Sequence, residues 1–173
     1  MNVFFWKKVS NRKLNKILDA HQVWFSSRQK EGTRANLSEA NLREAKLEGK
    51  DLRRADLSNS KLNRASLNMA DLREADLIGA DLSLAELQDA DMREVNLSQA
   101  DLSNADLHGL MLAGANFTNA NLRSANLSGC QLEQADFTGA DLQGANLDNV
   151  HVPAAVFRNV RGLSNAQRQQ LTR

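Results

Sequence analysis

Ala135-Asp136-Phe137-Thr138-Gly139 runs directly into Ala140-Asp141-Leu142-Gln143-Gly144, and each stretch reads Ala-Asp-apolar-x-Gly. Outward from this pair the frame holds from Leu37 to Phe157. An apolar residue recurs every fifth position, twenty-five times, without insertion or deletion. Nineteen of the twenty-five first positions are alanine, and Asp or Asn prevails at the second. A repeat of this kind determines architecture before any other signal. On an α-helix five residues advance about 500°, so the leucines would drift around the axis. On a long flat strand they would alternate between the two faces. One arrangement suits every unit: the first and third residues lie on a short extended piece and point inward. The fourth and fifth then turn the chain.

The turn residues support this independently. Gly49, Gly79, Gly109, Gly114, Gly129, Gly139 and Gly144 all occupy fifth positions, and the single proline, Pro153, occupies a fourth. A type II turn takes proline at its first central residue and glycine at its second. The number of units per coil is also readable. Phenylalanine replaces the central leucine only at Phe117, Phe137 and Phe157, twenty residues apart. Large first-position residues recur at the same spacing at Leu110, Cys130 and Val150, with Lys50 in the same column. Side chains stacked in one space swell together, so a coil holds four units. The reading is an all-β solenoid of about six twenty-residue coils, roughly 30 Å long at ~4.8 Å per layer. Leu97, Phe117, Phe137, Phe157 and Cys130 are its expected core.

This Ala-(Asp/Asn)-Leu-x-x tandem resembles the pentapeptide-repeat family over residues 35–159. The resemblance implies a right-handed quadrilateral β-helix. The leader is similar to a cap common in that family: a helix ending in His21-x-x-Trp24, then Gly32-Thr33-Arg34-Ala35. The expected organisation is therefore a basic leader and helical cap (1–34), a repeat β-helix (35–159) and a C-terminal helical cap (160–173).

Both caps have local signals. Leu14, Ile17, Leu18, His21, Trp24 and Phe25 follow helical spacing, with Ser10 as N-cap. Ser164-Asn165-Ala166-Gln167 matches a capping box, with Leu163 placed as a staple, for a helix over about Asn165 to Leu171. A β-helix exposes unpaired edges at both ends, and such caps cover them. His21 reads as a packed or hydrogen-bonded cap residue rather than a ligand. The alternative for residues 3–25 is a basic amphipathic helix that touches membrane or a partner, anchored by Phe4, Phe5 and Trp6.

Net charge is +1, but its distribution is uneven. Residues 35–159 carry eleven Lys/Arg against nineteen Asp/Glu, a net of −8; residues 1–34 carry eight against two, a net of +6. Direct nucleic-acid binding by the rod is thus disfavoured. One cysteine excludes a disulfide framework and points to a reducing compartment. No apolar run is long enough to span a membrane, and the expected location is cytoplasmic, with peripheral membrane contact as the alternative.

No catalytic, cofactor-binding or metal site is legible. Asp51, Asp71 and Asp91 form a column, as do Asp56 and Asp76, and Asp81 and Asp101. Asparagine replaces them freely at other second positions, which suits Asx-turns better than cation binding or acid/base work. Arg53, Arg73 and Arg93 form a basic column that reads as a solvated salt-bridge lattice before it reads as a phosphate strip. His108 and His151 have no partner at zinc spacing. Met69, Ile78, Leu84 and Met111 are outward apolar residues and the remaining candidates for partner contacts; they fall on different sides or coils, an expectation of scattered exposure rather than one patch.

The function expected is a non-enzymatic rod that presents its faces to a protein partner, as a monomer or weak oligomer. A second hypothesis is a nucleic-acid mimic that modulates a DNA-binding enzyme. Quinolone-resistance members of the family resemble duplex DNA in width and charge and act on gyrase. Those relatives are richer in inward Phe and Cys, often carry loops, and dimerise through their C-terminal ends. Peripheral membrane association is the third.

Overall fold

The structure, a computed structural model, describes residues 7–171, so Phe4, Phe5 and Trp6 lie outside the described residues. The twenty-residue coil is present as a parallel ladder. Every bridge outside the named strands joins second-position columns twenty residues apart, from Asn36↔Asp56 to Asp141↔Arg161. Three backbone hydrogen bonds make a typical rung. The Leu37 N–H donates to the Asp56 carbonyl (2.7 Å), the Asp56 N–H to the Ala35 carbonyl (2.9 Å) and the Glu39 N–H to the Ser58 carbonyl (2.8 Å).

Each unit closes through a turn like that of residues 37–40, where the Ala40 N–H donates to the Leu37 carbonyl at 3.1 Å. All twenty-five fifth positions have positive φ and no fourth position does, the type II pattern expected from Pro153 and the repeat glycines. Eighteen of those residues are not glycine. A left-handed residue costs ~1–2 kcal/mol, and it persists here because turn and ladder bonds over-determine the backbone on both sides.

The core is one column of leucine and alanine. Leu97, Phe117, Phe137 and Cys130 are fully buried. The phenylalanine rings stack with centroids 4.7 Å apart for Phe117 and Phe137, and 4.9 Å for Phe137 and Phe157. Phe157 departs from the core expectation. It is only partly buried, as are Val150 and Val152, because no complete coil follows theirs. At the other end Lys50, also a first-position residue, is exposed.

The N-terminal end is closed by two elements. Strand β1 (Lys7–Lys8) pairs in parallel with β2 (Ala40–Asn41) and adds a strand to the first coil. Helix α1 (Asn11–Ser26) starts at Ser10, whose side chain accepts from the Lys13 N–H, and buries Leu14, Leu18 and His21 over the open coil. Gly32 lets the chain turn from helix into rod: at φ +74° a Cβ there would collide with the Ala20 carbonyl oxygen. At the far end helix α2 (Asn165–Leu171) is held by both halves of the capping box between Ser164 and Gln167. Gln167 and Gln170 donate to the Ala145 and Leu147 carbonyls, satisfying part of the last edge.

The ladder is interrupted in one place among the described residues. The N–H groups of Leu84, Leu87, Asp89, Asp106 and Met111 do not reach the full inter-coil hydrogen-bond geometry that the residues twenty before and twenty after each of them reach. Glu86 and Asp106 keep their register as partners, as do Asp91 and Met111. The two coils are splayed there, not slipped.

Candidate functional site

Units that begin at residues 35, 40, 45 and 50 start the first, second, third and fourth sides of the rod, and each side repeats every twenty residues. On the fourth side, Asp and Arg form an alternating zipper. Arg53 binds Asp51 at 2.6 Å and Asp71 at 3.3 Å; Arg73 binds Asp71 at 2.6 Å and Asp91 at 3.4 Å; Arg93 binds Asp91 at 2.6 Å. Arg54 and Glu74 pair alongside with two hydrogen bonds. Each guanidinium of the zipper is thereby neutralised, so the column is the salt-bridge lattice and not a phosphate strip. Burial opposes ionisation of Asp51, but hydrogen bonds and charge from Arg53 win and hold its carboxyl below the usual range. The hydrogen bond from Arg93, helped by its charge, does the same for Asp91.

The remaining carboxylate columns also have local work. The side-chain oxygen of Asp56 accepts the Ser58 N–H at 3.1 Å, Asp81 that of Ser83 at 3.1 Å and Asp101 that of Ser103 at 2.9 Å. Asn96, Asn116 and Asn126 do the same, which explains why Asp and Asn interchange at this position. Among the described residues no group of His, Cys, Asp or Glu is placed to hold a metal ion. The Cys130 thiol donates to the Leu107 carbonyl at 2.9 Å, and burial pushes it up to about 11. It is a core residue without nucleophilic character at neutral pH.

His21 is wholly buried on the inner face of α1. Its Nδ1 accepts the Ala35 N–H at 3.1 Å, which orients the ring onto the first rung, and the ring stacks on Trp24 at 5.5 Å. Nε2 then carries the proton of the neutral ring and reaches no acceptor at full hydrogen-bond geometry, although the Arg53 backbone acts on the ring. Burial lowers its pKa from 6.5, the nearby Asp51 charge acting in the opposite sense. The helix is tied to the zipper as well, for the Arg53 guanidinium lies 3.6 Å above the Phe25 ring. Sequence alone held no signal for that contact.

Outward apolar residues are where the structure departs most from the sequence reading. Ile78 is half-buried on the first side, away from the others. Met69, Leu84 and Met111 are strongly exposed, and all three border the splayed stretch on the third side. Leu84 opens the stretch, Met111 closes it, and Met69 follows Asn68 one coil earlier. A cavity of about 480 Å³ opens there, lined by Asn68, Ala85, Glu86, Leu87, Gln88, Asp106 and His108. A second, of about 230 Å³, continues past His108 to Asp89, Leu110 and Met111. His108 sits at the join, with Nδ1 3.0 Å from the Ser128 hydroxyl, while His151 lies on the fourth side, 3.5 Å from Glu133. Glu86 was the available signal, being the only glutamate at a second position.

No described helix is long and apolar enough to cross a membrane. The likeness to known proteins lies in the repeats. HetL, a pentapeptide repeat protein involved in heterocyst differentiation regulation from Nostoc, is 34% identical over 75% of this chain, with a TM-score of 0.49. This chain spans 64% of HetL's length. A pentapeptide repeat protein of the Arabidopsis thaliana thylakoid lumen is 27% identical over 72% of this chain and 76% of its own, with a TM-score of 0.36. QnrB1, a plasmid-mediated fluoroquinolone resistance protein, is 22% identical over 79% of this chain and 93% of its own, with a TM-score of 0.43. A search of curated protein sequences returns no match. The sequence model described as pentapeptide repeats matches residues 35–72, 70–109 and 115–152, well over half the chain, and with the ladder and turns above it places this protein in the pentapeptide-repeat family.

Proposed function

We propose that this chain is a non-enzymatic interaction module of the cytoplasm: a right-handed, four-sided β-helix over 35–159 with helical caps at 1–34 and 160–173. The observation that carries the reading is the ladder itself. A constant twenty-residue register places outward side chains in straight columns of fixed pitch, while the turns leave those side chains free to vary. The polar columns support it too, since their carboxylates are engaged in Asx-turns or ion pairs. A protein partner, met by a monomer or weak oligomer, is the reading these surfaces favour.

Affinity capture with the full chain tests this. The expected result is one dominant protein retained in near-equal amount by the wild type and by the triple variant Phe4→Ser, Phe5→Ser, Trp6→Ser. Recovery lost in the triple variant, with the protein leaving the membrane fraction, would replace this reading with membrane association through residues 3–25. No specific protein in either case would sink it.

The −8 charge of residues 35–159 favours a second reading, a mimic of nucleic acid that modulates a DNA-binding enzyme such as gyrase. The neutralised zipper on the fourth side weighs against it. A supercoiling assay decides: inhibition or protection of gyrase at stoichiometric protein would favour the mimic.

A further inference from the structure

We propose that the splayed seam on the third side is the docking site for an extended segment of a partner protein that carries basic side chains. The inference rests on the interaction-module reading and specifies where on the rod the partner sits. Five N–H groups and the carbonyls they face, those of Ser103, Asp106, His108, Ala85 and Ala90, fall outside full hydrogen-bond geometry between the coils, although Glu86 with Asp106 and Asp91 with Met111 remain ladder partners. Elsewhere among the described residues the equivalent groups between consecutive full coils are joined. Backbone pairs loosened at a surface leave hydrogen-bonding capacity that an extended chain, offering donors and acceptors in alternation, can take up.

The opening has an independent geometric mark. A Cβ built on Gly114, Gly129, Gly139 or Gly144 comes within 3.9 Å of the backbone of the residue twenty earlier, and one on Gly79 meets the Asn59 side chain. At Gly109, above Asp89, it meets nothing within 4 Å. Glu86 supplies a local cause. Its side chain is too long for the Asx-turn, and the Gln88 N–H donates instead to the Asn68 side chain of the coil before, at 2.9 Å. Asn68 also donates to the Glu86 carboxylate at 3.2 Å. Lys46, Lys61 and Ser66 lack the Asx acceptor too and keep their rungs, so it is the tie to Asn68 that distinguishes this unit.

Chemistry at the seam selects the occupant. Glu86, Asp89 and Asp106 line the two cavities and no lysine or arginine does. A negatively lined groove favours a cationic segment and disfavours an acidic one. Leu84 and Met111 are exposed at its two ends and Met69 one coil below, which gives apolar side chains of the segment a surface to cover.

The probe is acetyl-(Lys-Val)4-amide, titrated into the full chain labelled at Met and Leu methyl groups, with acetyl-(Glu-Val)4-amide as its opposite. The expected result is shifts at the Met69, Leu84 and Met111 methyls with the basic peptide alone. Glu86→Gln with Asp89→Asn is expected to weaken binding at least about tenfold, whereas Asp56→Asn with Asp76→Asn on the first side leaves it unchanged. In the free chain the Leu84, Leu87, Asp89, Asp106 and Met111 amides exchange faster than Arg64, Leu67, Met69, Glu86 and Asp91. Shifts on another side, equal binding of the acidic peptide, equal loss from the first-side pair, or uniform exchange would each overturn the proposal. A partner captured through a different side leaves the interaction reading standing while the basic peptide fails to bind, so the two failures are separable.

Discussion

Ser60 is a serine in a column of alanines. It is buried, and its hydroxyl has no hydrogen-bond partner. Removing an unpaired buried hydroxyl recovers its desolvation cost, ~1–3 kcal/mol. Ser60→Ala is expected to raise the chemical-denaturation midpoint with an unchanged slope; a lower midpoint would mean that the hydroxyl is satisfied. The inward and outward assignments are tested one residue apart. Leu97 is fully buried, so Leu97→Asp places a carboxylate in the core without a partner and is expected to unfold the rod or cost several kcal/mol. Ser98 is half-buried on the first side and contributes its backbone carbonyl to the ladder, so Ser98→Asp is expected to leave the melting temperature within a few degrees. Equal effects from the two would mean the register is wrong.

Among the elements, α1 differs most from the rest, because a titratable ring is part of its contact with the rod. His21 has a folded pKa below 6.5, because burial favours the neutral ring. The unfolded chain therefore takes up the proton first as pH falls. The stability that neutral His21 contributes is full above about pH 6.5 and declines as pH drops from there through the folded value. Melting curves at pH 7.5 and 5.5 are expected to show a loss at the lower pH, and His21→Asn is expected to lower stability at pH 7.5 while reducing that difference. A wild-type profile flat across this window would show that the ring is not desolvated. Hydrogen exchange locates the loss: the amides of α1 and the first coil respond and those of Phe117 and Phe137 do not.

At the scale of the whole molecule, each coil contacts only its neighbours, so the rod is modular in steps of twenty residues and not in steps of five. Deleting residues 115–134 joins units of the same side and keeps every column in register. Deleting 115–119 rotates all later units by one side, setting Leu110, Cys130 and Phe137 against columns that do not match them. The first deletion is expected to give a shorter folded rod by circular dichroism and sedimentation, the second a less stable or aggregating chain. If both fold equally well, the side-chain columns do not specify the coil. The Asp–Arg zipper is a smaller contributor: its pairs lie at the surface, partly open to solvent, and surface pairs contribute ~0–1 kcal/mol each.

Much of this architecture is local information repeated many times. The period of five, the turn placement at the fourth and fifth positions, the Ser10 cap and the Ser164–Gln167 box all depend on neighbours in sequence, and the twenty-residue spacing of Phe117, Phe137 and Phe157 is a repeat of residue type along the chain. They were therefore legible in the chain. Position in the stack was not legible: Phe157 is a core residue by pattern and partly exposed by being last. The β1–β2 pairing, Arg53 over Phe25 and the gathering of Met69, Leu84 and Met111 around one seam depend on which surfaces meet. Sequence by itself determined the coil, its core and its turns, because each unit states the same local preference. Only the tertiary structure decided how the ends close and where the ladder opens, because those outcomes are set by hydrogen bonds between residues twenty or more apart competing for the same backbone groups.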